Sequence, residues 1–347
     1  MEYSRIVPTE ADKDYYENFF AGFLPAEMCD VHVHTWRKDQ FYAEPQFPQR
    51  GEDWADLIEQ ENSTESLKTD YSEMFPDINI HSLLFGWVGT KSNLTENNRY
   101  IGEYVRSNPG NFGLAVTRPD WDTEETVRQI EENGLVGMKP YITFVNPAIP
   151  TAEITIFDML SEKQLKLADD RGYVCMLHLP RPGRMADPVN LEQLLTIDDK
   201  YPNAKVIVAH LGRCYSDEDL GNAFEILART KNLCFDFSGN TNENNIRKSI
   251  ETFGPERVMF GSDLPLTHIH LKRIYENGHY INLINAKERP QINNASYMRT
   301  MPEADGYAFF LYEVLGAFRK ASDQLGLNRT EINNVLCGNA KRLLNSL

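Results

Sequence analysis

The chain has 347 residues, of which 41% are hydrophobic and 11% aromatic, and its formal net charge at pH 7 is -16. This composition can fill a large core and excludes a disordered or collagen-like chain. The negative charge, without a sizeable cluster of lysine and arginine, argues against nucleic-acid and anionic-membrane partners but leaves small anionic substrates open, because one basic pocket can bind them.

The N-terminal region lacks the features of a targeting segment. Charged side chains interrupt the first 25 residues, so no apolar stretch of a secretory signal is present there. No segment approaches the roughly 20 consecutive apolar residues of a membrane span. The five cysteines contain no CxxC pair, which favours a reducing compartment. The sequence therefore predicts a cytoplasmic protein.

Short apolar, β-branched runs recur along the chain, and each is followed by a longer charged segment with helical spacing. Eight runs are expected to form strands: 28–34, 78–88, 112–118, 135–141, 173–179, 205–211, 233–238 and 257–263. The clearest helices between them are expected at 123–133, 154–171 and 218–230. Ser216 and Asp217 are candidate N-caps for the last of these helices.

This alternation predicts an α/β fold with parallel strands, either an open doubly wound sheet or a closed barrel. No glycine-rich dinucleotide motif follows the first run, so a (β/α)8 TIM barrel is favoured. We predict a single domain over residues 1–347, with an N-terminal arm at 1–26. Long insertions at 36–77 and 264–307 follow strands 1 and 8, where they would form lids or pocket walls, with a dimer contact as the alternative.

The first run, CDVHVH, carries two histidines that are two residues apart. On a strand, His32 and His34 would point to the same side, which in a barrel is the interior. A divalent metal satisfies two such buried imidazoles, although a hydrogen-bonded core pair is the simpler alternative.

Other runs also end in residues that can bind a metal or move a proton. Lys139, His178, His210 and Asp263 end the fourth, fifth, sixth and eighth runs, and Asp30 lies within the first. Taken singly, each could be a satisfied core or strand-end residue. Because the C-terminal ends of barrel strands converge on one mouth, their coincidence favours a shared site.

These motifs together resemble the amidohydrolase superfamily, specifically its amidohydrolase-related branch of metal-dependent hydrolases and nonoxidative decarboxylases. The matching segments are DVHVH, GMKPY, CMLHLP, VIVAHLGR, LCFDFSG, ERVMFGSDLP and INNVLCGNAKRLL, which extend over nearly the whole chain. The resemblance implies that His32, His34, His178 and Asp263 surround one divalent metal, with zinc favoured over manganese. It places His210 beside the metal.

The expected chemistry follows from that arrangement. Zinc lowers the pKa of a bound water to about 7. Asp263 or His210 could then accept and return a proton. In binuclear members of the wider superfamily a lysine at the end of strand 4 is carboxylated and bridges two metals. We favour one metal, with Lys139 as an ammonium that binds substrate, and leave the bridge as the alternative.

Several further side chains could bind an anionic substrate at the mouth. Arginine pairs bidentately with carboxylates, although structural ion pairs explain most arginines. The candidates are Tyr141, Arg181, Arg184 and Arg213, together with Lys139. His268 and His270 repeat the two-residue spacing outside a clear strand, and their role stays open.

Three functions compete. The first is hydrolysis of a small carboxylate-bearing ester, lactone or amide by a metal-activated water. The second is nonoxidative decarboxylation of an aromatic or unsaturated acid, and the third is a non-catalytic barrel that binds a metabolite. The sequence alone does not separate the first two, and it leaves a homo-oligomer open.

Overall fold

Parallel strands form where the β-branched runs occur. The computed structural model describes residues 6–50, 61–285, 297–301 and 306–345. One parallel sheet contains, in hydrogen-bonded order, β1 (Glu27–His34), β2 (Asn79–Phe85) and β3 (Phe112–Gly113). A second contains β4 (Ala115–Thr117), β5 (Gly137–Pro140), β6 (Val174–Leu177), β7 (Lys205–Val208), β8 (Cys234–Asp236) and β9 (Val258–Met259). The predicted mixed α/β class with parallel strands is confirmed.

Hydrogen bonds connect the two sheets at both of their ends. The third predicted run is split into β3 and β4, yet Leu114 N–H donates to the carbonyl of Leu84, and Val136 N–H donates to the carbonyl of Gly113, both at 2.8 Å. On the other side, Val31 N–H donates to the carbonyl of Phe260 at 3.0 Å. The chain that follows β9 therefore lies beside β1, so the ends of the first and last strands are neighbours.

Both faces of the strands are buried, which explains why their sequences are continuously apolar. In β6, Cys175 and Leu177 belong to a large cluster that also contains helical residues such as Leu194. Val174 and Met176, which alternate with them, belong to a second cluster on the other face. This period of two is the strand geometry expected from the sequence.

Helices lie between and after the strands. The α-helices span Glu10–Phe19, Thr64–Met74, Leu94–Ser107, Thr123–Val127, Ile156–Met159, Glu162–Arg171, Pro188–Lys200, Asp217–Leu220, Ala223–Leu227, Glu243–Phe253, Phe310–Leu325, Arg329–Asn333 and Asn339–Leu344. The segment His210–Arg213 is a left-handed turn, in which every residue has a φ between 50° and 66°. Short 3-10 helices span Lys38–Gln40, Ile142–Phe144, Thr151–Glu153, Arg184–Ala186, Pro255–Arg257 and Leu266–His268, and π-helical turns span Arg128–Glu132 and Asn334–Gly338. Within the described ranges, no helix combines the length and the apolar character needed to cross a membrane.

The predicted helices are more broken than their spacing suggested. The segment 154–171 divides at Ser161, which caps a new helix by accepting a hydrogen bond from Gln164 N–H. The segment 218–230 divides at Gly221, whose φ of 52° does not fit a right-handed helix. Ser216 is confirmed as an N-cap, while Asp217 is the first helical residue.

The two long segments after β1 and β9 contain structure of their own. The first carries the helix Thr64–Met74, and residues 51–60 of this predicted insertion lie outside the described part. The second carries a small sheet of β10 (Leu271–Glu276), β11 (His279–Asn285) and β12 (Met298–Met301). Residues 286–296 and 302–305 of it lie outside the described part.

The helix Glu10–Phe19 of the predicted N-terminal arm packs on the helix Phe310–Leu325, and residues 1–5 of the arm lie outside the described part. The fully buried carboxylate of Asp12 makes a polar connection between the arm and the segment after β9. It accepts hydrogen bonds from Thr9 N–H at 2.7 Å and from Phe309 N–H at 2.7 Å, and its Oδ2 lies 2.8 Å from His270 Nε2. One side chain therefore caps the arm helix and joins it to the segment after β9.

Replacing Asp12 with alanine should lower the free energy of unfolding by about 2–4 kcal/mol, because buried donors on Phe309 and His270 lose their acceptor. Urea denaturation followed by tryptophan fluorescence measures this loss. Glu17→Ala, on the exposed face of the same helix, is the control and should change stability by less than about 0.5 kcal/mol. An Asp12→Ala protein as stable as the control would mean that the arm is not part of the cooperative fold.

Candidate active site

The histidines of β1 and the aspartate after β9 converge at the same point. His32 Nε2 and His34 Nε2 lie 3.6 and 3.7 Å from Asp263 Oδ1. Asp263 has a φ of 62°, and its N–H donates to the carbonyl of His32 at 2.7 Å. This left-handed backbone, which aspartate tolerates better than most residues, turns the carboxylate toward both imidazoles.

Acceptors behind the rings fix which nitrogen faces the site. His32 Nδ1 lies 3.1 Å from Asp236 Oδ2, and His34 Nδ1 lies 3.4 Å from the carbonyl of Gly86. His210 Nδ1 lies 3.0 Å from the carbonyl of Ser238. Because a carbonyl or carboxylate oxygen accepts, each Nδ1 carries the proton and each Nε2 presents a lone pair.

The spacing of these atoms fits a metal ion. Ligand atoms about 2.1 Å from a tetrahedral zinc lie about 3.4 Å from one another, close to the separations of Asp263 from the two histidines. His32, His34 and Asp263 form one cluster of three donors within 4.8 Å, and His32, His210 and Asp236 form another. His178 belongs to neither cluster, but its buried Nδ1 has no hydrogen-bond partner within the described ranges. The residues therefore suit a divalent cation.

Asp236 was not among the residues selected from the sequence, although its motif LCFDFSG was. Its Oδ1 accepts hydrogen bonds from the N–H groups of His210 and Ser238, both at 3.0 Å, while Oδ2 faces His32. A fully buried carboxylate at the end of β8 thus holds two site histidines. Asp30 has a similar supporting role, because it accepts from the N–H groups of His32 and Ser262 and from the hydroxyl of Tyr71.

Burial shifts the protonation of the site toward neutral groups. It lowers the pKa of His210 to about 3 and the pKa values of His32, His34 and His178 well below the ordinary range. Neutral imidazoles at physiological pH are the form that binds metals. Burial also raises the pKa of Asp263 well above its usual value.

Lys139 lies fully buried at the end of β5. Its Nζ has no hydrogen-bond partner in the described part of the chain and lies 4.8 Å from the centre of the Phe85 ring and 5.9 Å from that of Tyr141. Burial lowers its pKa to about 8, against the opposing attraction of Asp236 and Asp263. A cationic or neutral amine can therefore exist there near neutral pH.

A cavity of about 580 Å³ opens over these groups, which is large enough for a small organic substrate. The sequence-predicted residues that line it are His32, His34, Lys139, Tyr141, His178, Arg184, His210, Arg213 and Asp263. Arg181 is not among its lining residues. Its Nε donates to Asp187 at 3.0 Å and its Nη1 donates to the carbonyl of Glu153. The guanidinium of Arg181 is therefore paired with a nearby carboxylate.

His268 and His270 also lie away from the cavity lining. His268 Nδ1 lies 3.4 Å from Asp70 Oδ2, and His270 is the partner of Asp12 described above. These two histidines therefore connect the segment after β9 to the helix Thr64–Met74 and to the N-terminal arm.

Sequence reasoning missed the wall of the cavity that the small sheet forms. Arg273 on β10 and Tyr280 on β11 line the cavity, as does Tyr215 from the chain after His210. The missed signal was the Asn277–Gly278 pair, whose φ values of 51° and 81° make the hairpin turn between β10 and β11.

Solved structures similar to this chain include amidohydrolases and a decarboxylase. A probable 2-pyrone-4,6-dicarboxylic acid hydrolase from Acinetobacter baumannii, solved with citric acid bound, is 18% identical with a TM-score of 0.55, over 92% of this chain and 99% of that one. An amidohydrolase from Burkholderia multivorans with bound zinc is 14% identical with a TM-score of 0.60, over 92% and 99%. The 2,6-dihydroxybenzoate decarboxylase from Rhizobium is 14% identical with a TM-score of 0.53, over 93% and 99%.

These likenesses concern the fold, and the family follows from the sequence itself. No curated protein matches the chain at a significant level. The family model described as amidohydrolase, however, matches residues 29–345. The chain therefore belongs to the amidohydrolase family and is an enzyme of that superfamily.

Proposed function

We propose that this enzyme is a metal-dependent hydrolase of a small carboxylate-bearing ester, lactone or amide, acting in the cytoplasm. The observation that carries the proposal is the convergence of His32, His34 and Asp263 beneath a cavity that also contains cationic side chains. We further propose that the strands close into a (β/α)8 barrel. The hydrogen bond between Val31 and Phe260 supports that closure.

The proposed metal ligands are His32, His34, His178 and Asp263. A divalent metal, zinc or manganese, would supply an acidified water and polarise the substrate carbonyl. The Asp263 carboxylate would accept the proton of the attacking water and return it to the leaving group. The ring of His210 lies 4.6 Å from that of His32, centre to centre, and its neutral imidazole would act as a second base through the unprotonated Nε2.

Cationic groups on the cavity wall would hold the acid function of the substrate. Lys139 is buried next to Tyr141, and Arg213 donates one hydrogen bond, to the carbonyl of Leu179 at 3.0 Å. Arg184 lies farther along the wall, where Asp219 already compensates its charge. Arg181 is not carried into this proposal, because its ion pair with Asp187 lies outside the cavity lining.

Elemental analysis of the purified protein tests the metal site. We expect about one zinc or manganese per chain, lost in His32→Ala, and activity that a chelator abolishes and added metal restores. His279→Ala, which changes an exposed histidine, should retain the metal. A wild-type protein without metal would contradict the proposal, and two metals per chain would make Lys139 a carboxylated bridge.

Turnover in ¹⁸O-labelled water distinguishes hydrolysis from decarboxylation. Hydrolysis places one labelled oxygen in the product acid. Release of carbon dioxide without water incorporation would instead establish the decarboxylase alternative, for which the same cavity could bind the carboxylate.

A further inference from the structure

Arg273 carries a positive charge that no carboxylate compensates within the described ranges. Its Nε donates to Asn282 Oδ1 at 2.9 Å, and its Nη1 donates to the carbonyl of Gly239 at 2.7 Å. Both partners are neutral. Arginine stays protonated in proteins, so the half-buried side chain keeps its full charge inside a chain of net charge -16.

Aromatic rings surround this guanidinium. Its Cζ lies 4.9 Å from the centre of the Tyr215 ring, 4.6 Å from that of Tyr280 and 4.8 Å from that of Phe310. All three rings line the cavity together with Arg273. Cation–π contacts stabilise the charge in part, but they leave it without the counter-ion that a desolvated cation normally requires.

Arg184 provides the comparison within the same cluster. It lies over Tyr215 and Tyr280 as well, at 5.3 and 5.2 Å, but its Nη1 donates to Asp219 Oδ2 at 2.7 Å. Its Nη2 donates to the hydroxyl of Tyr280 at 3.3 Å. Because that hydroxyl accepts from Arg184, its own proton points elsewhere and can be donated to a ligand beside Arg273.

The subsite lies close to the proposed reaction centre. Gly239, whose carbonyl accepts from Arg273, has a φ of 61°, and a Cβ at this position would lie 3.7 Å from Asp263 Oδ2 and 3.8 Å from His210 Nδ1. A single residue thus separates Arg273 from the two groups expected to move protons. All three of these residues line the same cavity.

We propose that Arg273, assisted by the Tyr280 hydroxyl, binds a carboxylate of the substrate at the end remote from the reacting bond. The rings of Tyr215 and Tyr280 meet edge to face at this end of the cavity, at 72°, and their aromatic surface favours an unsaturated or aromatic acid over a branched aliphatic one. This subsite proposal rests on the proposed function, because that function places the reacting bond of the substrate at Asp263. The small sheet after β9 is then the element that sets substrate specificity.

Isothermal titration with isophthalate and benzoate tests the subsite in the purified enzyme. The wild type should bind isophthalate at least about 10-fold more tightly than benzoate, because the second carboxylate gains charged hydrogen bonds. Arg273→Gln should abolish this preference, whereas Arg273→Lys should keep part of it. Arg299→Gln, which breaks an exposed ion pair on the same sheet, should retain it in full. No preference in the wild type, or an undiminished one in Arg273→Gln, would overturn the proposal.

Chemical labelling of the wild type gives a result that does not depend on a variant folding. Phenylglyoxal modification of Arg273, mapped by peptide mass spectrometry, should slow at least several-fold in saturating isophthalate. Labelling of Arg299 should not change, and an unprotected Arg273 would refute the subsite. Both experiments measure binding without turnover. If the enzyme binds isophthalate through Arg273 but hydrolyses no ester, lactone or amide, the subsite proposal stands and only the hydrolase proposal fails.

Discussion

An Asp263→Asn enzyme should lose at least about 10³-fold in kcat, because the substitution removes both an anionic metal ligand and the proton acceptor. Asparagine has nearly the same shape as aspartate and also tolerates the left-handed backbone, at φ 62°. The hydrogen bond from the N–H of residue 263 to the carbonyl of His32 should therefore persist. The effect should therefore be chemical and not structural. Steady-state kinetics at saturating metal measures it.

The stability of the same variant provides an independent check. Burial raises the pKa of Asp263 well above its usual value, which means that the fold disfavours the ionised carboxylate. A neutral amide should therefore leave the unfolding free energy of the metal-free protein unchanged or raise it, as expected where function opposes stability. Asp120→Asn, on an exposed ion pair, should alter neither quantity. Full turnover by Asp263→Asn would remove this residue from the mechanism.

The sequence predicted the strands well because each strand is short, buried on both faces and rich in β-branched residues. All eight runs contain a strand, and the ends that carry His34, Lys139, His178, His210 and Asp263 meet at one cavity. Helix continuity was harder to predict, because one local capping bond at Ser161 outweighs the apolar periodicity around it. The capping-box spacing of Ser161 and Gln164 is visible in the sequence, but the spacing alone does not show that the helix is interrupted there.

The residues that support or surround the site were harder to predict than the helices. Asp236 lies 204 positions from His32 in the sequence, and its surroundings read as an ordinary apolar strand. Arg181 shows a different limit, because its position after a site histidine predicts substrate binding, whereas its ion pair with Asp187, six residues later, becomes visible only in the structure. Arg273 was missed because its aromatic neighbours come from three separate elements: Tyr280 from the paired strand β11, and Tyr215 and Phe310 from distant parts of the chain.

Lys139→Met should lower kcat/KM about 10²-fold at pH 7, the effect of losing one charged hydrogen bond to a substrate carboxylate. The pKa of about 8 assigned to Lys139 by its burial adds a pH signature. The amine is charged below that pKa and neutral above it, so wild-type kcat/KM should fall as the pH rises through about 8. The pH dependence of kcat/KM reports the pKa values of groups in the free enzyme. This decrease at alkaline pH, the alkaline limb, should therefore disappear in Lys139→Met.

Metal content distinguishes this role from the bridging alternative. If Lys139 binds substrate as an ammonium, Lys139→Met should keep the wild-type metal content, and Lys166→Met, at an exposed ion pair, should keep both the metal and the alkaline limb. A carboxylated Lys139 would be an anion that holds the metals, so its replacement would release metal and lower kcat at every pH. Because Lys139 Nζ lacks a hydrogen-bond partner within the described ranges, the methionine variant should fold without an unsatisfied group. Loss of metal from a folded Lys139→Met protein would therefore reject the ammonium role and establish the bridge.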